Sequence, residues 1–115
     1  MDLKEFRLGS IINKGIVLSL GYYEGELYCG AVKNKYSSKG EVYSPDEIEP
    51  IELSDEWFGK LGFSKLDNKY ILDDFIVMEV DGSFRFMGYM KKEIKYVHEL
   101  QNIYESLIEI ELSEL

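Results

Sequence analysis

The sequence predicts an α+β fold: an N-terminal curled antiparallel sheet, small and barrel-like, then a short central helix, a β-hairpin and a long C-terminal helix. Three observations carry this prediction. Short apolar runs separated by Gly-containing turns fill residues 9–43, a spacing that marks a small barrel or curled sheet. Asp81-Gly82 stands between the apolar runs "FIVMEV" and "SFRFMGY", the strongest short hairpin signal. The stretch from Lys92 to Ile108 repeats apolar side chains at helical spacing.

Taken in order, "GSIINKGIVLSLG" holds two apolar runs broken at Asn13-Lys14-Gly15, where Gly tolerates the positive φ of a tight turn. Glu24-Gly25 makes a second turn before the strand "ELYCGAVKN", and "SSKGEVYSP" reads as a loop leading into a short strand. Pro45 and Pro50 push their predecessors into extended conformations and mark a connector. Ser54 suits a helix N-cap, Asp55 and Glu56 suit the positive end of the dipole, and Gly62 closes the helix as C′. That helix is expected over 54–61.

The two-residue Asp81-Gly82 turn fixes the hairpin at 75–88. Val80 then faces Ser83, Glu79 faces Phe84, Met78 faces Arg85 and Val77 faces Phe86. One face carries Phe75, Val77, Phe84 and Phe86, and the other Ile76, Met78, Val80 and Met87. Two apolar faces call for cover on both sides, from a helix on one and from the N-terminal sheet or another subunit on the other. In the final helix Tyr96, Val97, Leu100, Ile103, Tyr104, Leu107 and Ile108 fall on an arc of roughly 140°. The tail "EIELSEL" reads as a short strand, a frayed helix end or a docking segment.

With 115 residues the default is a single domain, 1–115. Hydrophobic residues at 45% and aromatics at 14% supply one core. Thirteen Lys and Arg against 22 Asp and Glu leave a net charge of −9. That balance argues against nucleic acid, whose binders carry a basic footprint. One cysteine makes no internal disulfide. The charged opening "MDLKEFRLGS" does not read as a signal peptide, and no apolar run reaches the ~20 residues of a membrane span. A cytoplasmic protein without membrane attachment is expected.

Chemistry-bearing residues are sparse. His98, the only histidine, falls on the flank of the apolar arc beside Gln101, Asn102 and Glu105. It is expected to be half-exposed, and these residues are candidates for binding a ligand or a partner backbone. Gln101 at the edge of the buried stripe needs a partner, since an unpaired buried amide costs about 1–3 kcal/mol. A bond to sheet or loop backbone is expected. Lys33, Lys35 and Lys39 with Tyr36 form a local basic patch suited to an anion, and Lys91, Lys92 and Lys95 form another at the start of the last helix. Zinc sites want clustered Cys and His, so no metal is expected. Asp73-Asp74 reads as a solvated turn. Neither a phosphate-cradling loop nor a nucleophilic triad occurs, and Cys29 inside a strand reads as a small hydrophobe. Neither a cofactor nor a catalytic residue is expected.

Three segments carry a family resemblance. "FRLGSII" is similar to an "RxGNxV" opening, "IEPIELSDEWFGKLGF" to an "I-P-I-x-L-T-x-E-W-L-x-x-x-G-F" block, and "YVHELQNIYESLIEIEL" to a "YVHQLQNLYFALTGEEL" ending. Together they resemble a family of small uncharacterised proteins from phages and prophages of gut bacteria, over nearly the full chain. The terminal "TGEEL" is here "IEIEL". The resemblance implies no enzyme activity and a location in the bacterial host cell. The function expected is non-enzymatic binding, in first place sequestration of a nucleotide-derived host defence signal. There His98, Gln101, Asn102 and Tyr36 would meet the ligand and Lys33, Lys35 and Lys39 its phosphate. The alternative is a protein–protein inhibitor or adaptor that meets a host factor through an acidic surface. A homo-oligomer is expected in either case.

Overall fold

The computed structural model describes residues 5–33, 39–109 and 112–113; Lys35 and Tyr36 lie outside them. The architecture is α+β and mostly strand. The chain divides into two compact units, Met1–Ile51 and Glu52–Leu115.

In the first unit a four-stranded antiparallel sheet runs β1 (Ile11–Ile12), β2 (Gly15–Tyr23), β3 (Glu26–Val32) and β4 (Glu41–Tyr43), each strand beside its sequence neighbour. Asn13-Lys14 is the turn between β1 and β2, with Ile12 opposite Gly15. Gly15 has φ 111°, and a Cβ there would collide with the carbonyl oxygen of Val32, so only glycine lets β2 start against the end of β3. The register slips between Val17 and Ser19. Such a bulge bends its strand and increases twist, which curls the sheet. The inner face gathers Val17, Cys29 and Ala31 against Phe6, Ile12 and Ile48, with Leu20, Leu27 and Tyr43 at the rim. A 3₁₀ turn, Pro45–Glu47, begins the connector. The Asn13 side chain then clamps the connector, accepting from Glu49 N at 2.9 Å and donating to Glu47 O at 3.1 Å.

The second unit contains α1 (Asp55–Lys60), the strands β5 (Ser64–Leu66), β6 (Lys69–Leu72), β7 (Phe75–Val80), β8 (Ser83–Phe86) and β9 (Tyr89–Ile94), and α2 (Val97–Ile108). The five strands form an antiparallel meander in sequence order. Ser54 is the N-cap of α1 as expected, although its side chain makes no capping bond. Gly62, at φ 90°, ends the helix. Phe63 N donates to Phe58 O at 2.9 Å and Gly62 N to Gly59 O at 3.1 Å, the paired bonds of a Schellman motif. The Phe58 and Phe63 rings meet edge-on at 5.2 Å, the hydrophobic contact that accompanies this cap.

From Phe58 the aromatic packing continues through the unit. Its ring stacks on Tyr70 at 4.0 Å and tilts against Phe84 at 5.1 Å. Phe75 stacks on Phe86 at 4.6 Å and meets Tyr104 at 5.2 Å, while Phe63 lies 6.2 Å from Phe75. Seven rings thereby join α1, β6, β7, β8 and α2.

The β7–β8 register is the expected one at all four pairs, Val80–Ser83 through Val77–Phe86. Asp81 and Gly82 both have positive φ, 50° and 81°, the geometry of a type I′ turn. The inner face, Phe75 and Val77, is buried. On the outer face Ile76 and Met78 are half-buried and Val80 is 36% exposed.

Three expectations need correction. First, the final helix begins at Val97 rather than near Lys92, because Tyr89–Ile94 pairs with β8 as an edge strand. Lys91 and Lys92 therefore stand on a strand and Lys95 just ahead of the helix. Second, β5 was not expected at all; its three residues pair with β6 across a turn at Asp67-Asn68. Third, the buried face of α2 comprises Val97, His98, Leu100, Gln101 and Tyr104, roughly 70° around the helix from the expected arc. Leu107 is left exposed. Glu109 closes the helix with φ 62°. Leu112 is buried, and its carbonyl accepts from Gln101 Nε2 at 2.9 Å. Leu112 thus docks on its own unit, with Gln101 bonded to backbone as expected; Ile110, Glu111, Glu114 and Leu115 lie outside the described residues.

Phe58→Ala should destabilise the second unit by about 3–5 kcal/mol, read as a lower denaturant midpoint. Glu109→Gly should raise stability by about 1 kcal/mol, since it relieves a left-handed non-glycine residue and removes a carboxylate from the negative end of a helix; thermal unfolding checks it.

Candidate functional site

The sequence candidates divide between the two units. Lys33 and Lys39 are exposed, at the end of β3 and just ahead of β4, in the first unit. His98, Gln101 and Asn102 stand on α2 in the second. His98 is not half-exposed as expected but 1% exposed, and Gln101 likewise; Asn102 is half-buried. The His98 ring lies parallel to Tyr96 at 5.8 Å. The same rotation of α2 that brings Gln101 to Leu112 brings His98 inside.

Tyr96 itself fronts a cleft in the second unit of about 260 Å³. Its construction follows from the way the unit's first residues rejoin the sheet. Leu53 N donates to Lys95 O at 2.8 Å, and Glu52 bridges to Tyr96. The segment ahead of α1 is thus laid along the end of β9. Glu52 and Leu53 form one side, Glu93, Ile94, Lys95 and Tyr96 another, and Gly82 of the β7–β8 turn and Phe84 of β8 complete it. At the start of α2, Glu99 Oε1 accepts from Lys95 N at 2.9 Å and Tyr96 N at 3.0 Å. A carboxylate already occupies the positive end of the helix. No sequence motif announces this cleft. Its walls are far apart in the chain and come together through the Leu53–Lys95 bond, the Glu52–Tyr96 bridge and the β8–β9 pairing.

A second polar group lies at α1. Tyr70 Oη donates to Asp55 Oδ1 at 2.7 Å, and Lys65 Nζ meets the same oxygen at 3.0 Å. The Tyr70 hydrogen bond, then Lys65, holds the Asp55 carboxyl below its ordinary value. Burial and the Asp55 bond push the Tyr70 phenol up. This group fastens the first turn of α1 to the β5–β6 hairpin. Cys29 is fully buried in the first unit, and burial raises its thiol pKa, which makes it a poor nucleophile. Among the described residues, no group of three or more His, Cys, Asp or Glu could hold a metal, and no helix is long and apolar enough to cross a membrane.

No protein-family model matches the chain, and neither a curated protein nor a solved structure does. The site must be read from its own chemistry.

Charge separates the two units. Fourteen carboxylates against seven cations leave Glu52–Leu115 at −7, whereas eight against six leave Met1–Ile51 at −2. The cleft belongs to the acidic unit.

Because Asp55 has a lowered pKa, the folded state holds this proton less tightly than the unfolded chain. Its contribution to stability is present above the ordinary carboxylate value of 3.8 and is lost as pH falls through the lowered one. As pH falls below the ordinary carboxylate value of 3.8, the wild-type unfolding midpoint should therefore fall more steeply than that of Asp55→Asn, as followed by circular dichroism.

Proposed function

We propose that this chain is a non-enzymatic binding protein that engages a basic host protein through the acidic surface of its second unit. The observation that supports this most is the concentration of −7 of the −9 charge in Glu52–Leu115. A surface of one sign steers an oppositely charged partner and rejects like-charged ones. The same charge repels a phosphate-rich ligand. The resemblance to phage and prophage proteins makes a bacterial host protein the fitting partner.

Sequestration of a nucleotide-derived signal is the second reading. It draws on Lys33 and Lys39, exposed at the end of β3 and just ahead of β4 in the nearly neutral first unit.

A pull-down from bacterial lysate at about 50 mM and about 300 mM salt separates the two. The expected result is a basic protein retained at low salt, released at high salt, and binding again once purified. A thermal shift with cyclic dinucleotides and no salt-sensitive protein partner would replace the first reading with the second.

A further inference from the structure

We infer that the cleft in front of α2 receives a cationic side chain, the lysine or arginine of a basic partner protein, as an anchor. It rests on the protein-binding reading above and names the contact that reading requires. Three features of the cleft select this occupant. Its volume, about 260 Å³, admits one long side chain. Its walls combine Phe84 and Tyr96, against which an alkyl stem or a guanidinium packs, with Glu52 and Glu93, whose carboxylates pair with the cationic head.

The third feature concerns the helix start, where an anion would ordinarily be drawn to the free backbone N–H groups. Here Glu99 already accepts from Lys95 N and Tyr96 N, so a second anion would meet a carboxylate instead of a bare positive pole. Lys95 is the cation among the lining residues and Arg85 stands opposite Glu93 in the β8–β9 register; both oppose a cationic guest, which leaves Glu52 as the stronger anchor point. The walls are held before any partner arrives by the Leu53–Lys95 hydrogen bond of 2.8 Å and the Glu52–Tyr96 bridge. Little ordering is then left for the moment of binding.

The test uses the full chain and a fluorescein-labelled oligo-arginine peptide, with anisotropy read at near-physiological salt. Glu52→Gln and Glu93→Gln should each weaken binding by about fivefold or more, as expected for a lost charge-assisted pair. Lys95→Met should tighten it. Asp74→Asn, an exposed turn residue at the far end of the same sheet, removes the same charge and should change binding by no more than about twofold. Circular dichroism on each variant ensures that folded proteins are compared. Equal weakening by Glu52→Gln, Glu93→Gln and Asp74→Asn, or weakening by Lys95→Met, overturns the anchor while leaving an acidic binding surface intact. No binding of the peptide by the wild-type chain overturns both.

Discussion

The second unit depends on where the ring of Phe58 is put. Six residues of helix are too few to be stable alone, so α1 persists because its end is fastened and its buried face is aromatic. The Schellman bonds at Gly62 and Phe63 fix the exit of the chain, and that exit sets Phe63 edge-on against Phe58. From there the contact passes to Tyr70, Phe84, Phe75 and Tyr104. Aromatic pairs of this kind add about 0.5–1.5 kcal/mol each beyond the area they bury, and no pair in the chain of rings is independent of the next. The placement of α2, and with it the wall formed by Tyr96, inherits this packing.

Acidic side chains meet two demands in this unit. Asp67, Asp73 and Asp81 each take the first position of a hairpin turn with φ between 53° and 55° or at 50°, a region that aspartate tolerates better than most residues. The turns therefore place negative charge at both ends of the meander. Glu52, Glu93 and Glu99 add more around the start of α2. Local backbone requirements and the surface potential are thus satisfied by the same residues, so the charge is a product of the fold's construction as well as a property that selects partners.

Much of this architecture was legible in the sequence, and the boundary of legibility has physical causes. The Asp81-Gly82 hairpin was readable to the residue, because a two-residue turn leaves no freedom of register. The Asn13-Lys14-Gly15 turn and the end of α1 at Gly62 were readable for the same reason: one glycine conformation decides each. β9 was not, since "YMKKEI" is exposed along most of its length and an edge strand carries little alternation. Nor was the inward face of α2, because periodicity assigns Leu107 to the core and His98 to its flank. The backbone carbonyl of Leu112, which needed the Gln101 amide, is invisible to a helical wheel. The cleft was hidden more deeply still, as its walls come from residues 52–53, 82, 84 and 93–96 and no spacing rule links them.

The sheets share one property with a bearing on how the molecule forms. In both, every strand pairs with its neighbour in sequence, and most of the linking turns are two residues long. Loop-closure entropy is small for such pairings, and topologies dominated by short-range contacts reach the native state quickly. Each hairpin can nucleate by itself and recruit the next strand from the ribosome-proximal side as synthesis proceeds. One long-range exception is the union of Leu53 with Lys95, which must wait for the whole meander, so the cleft takes shape only once all five strands are in place.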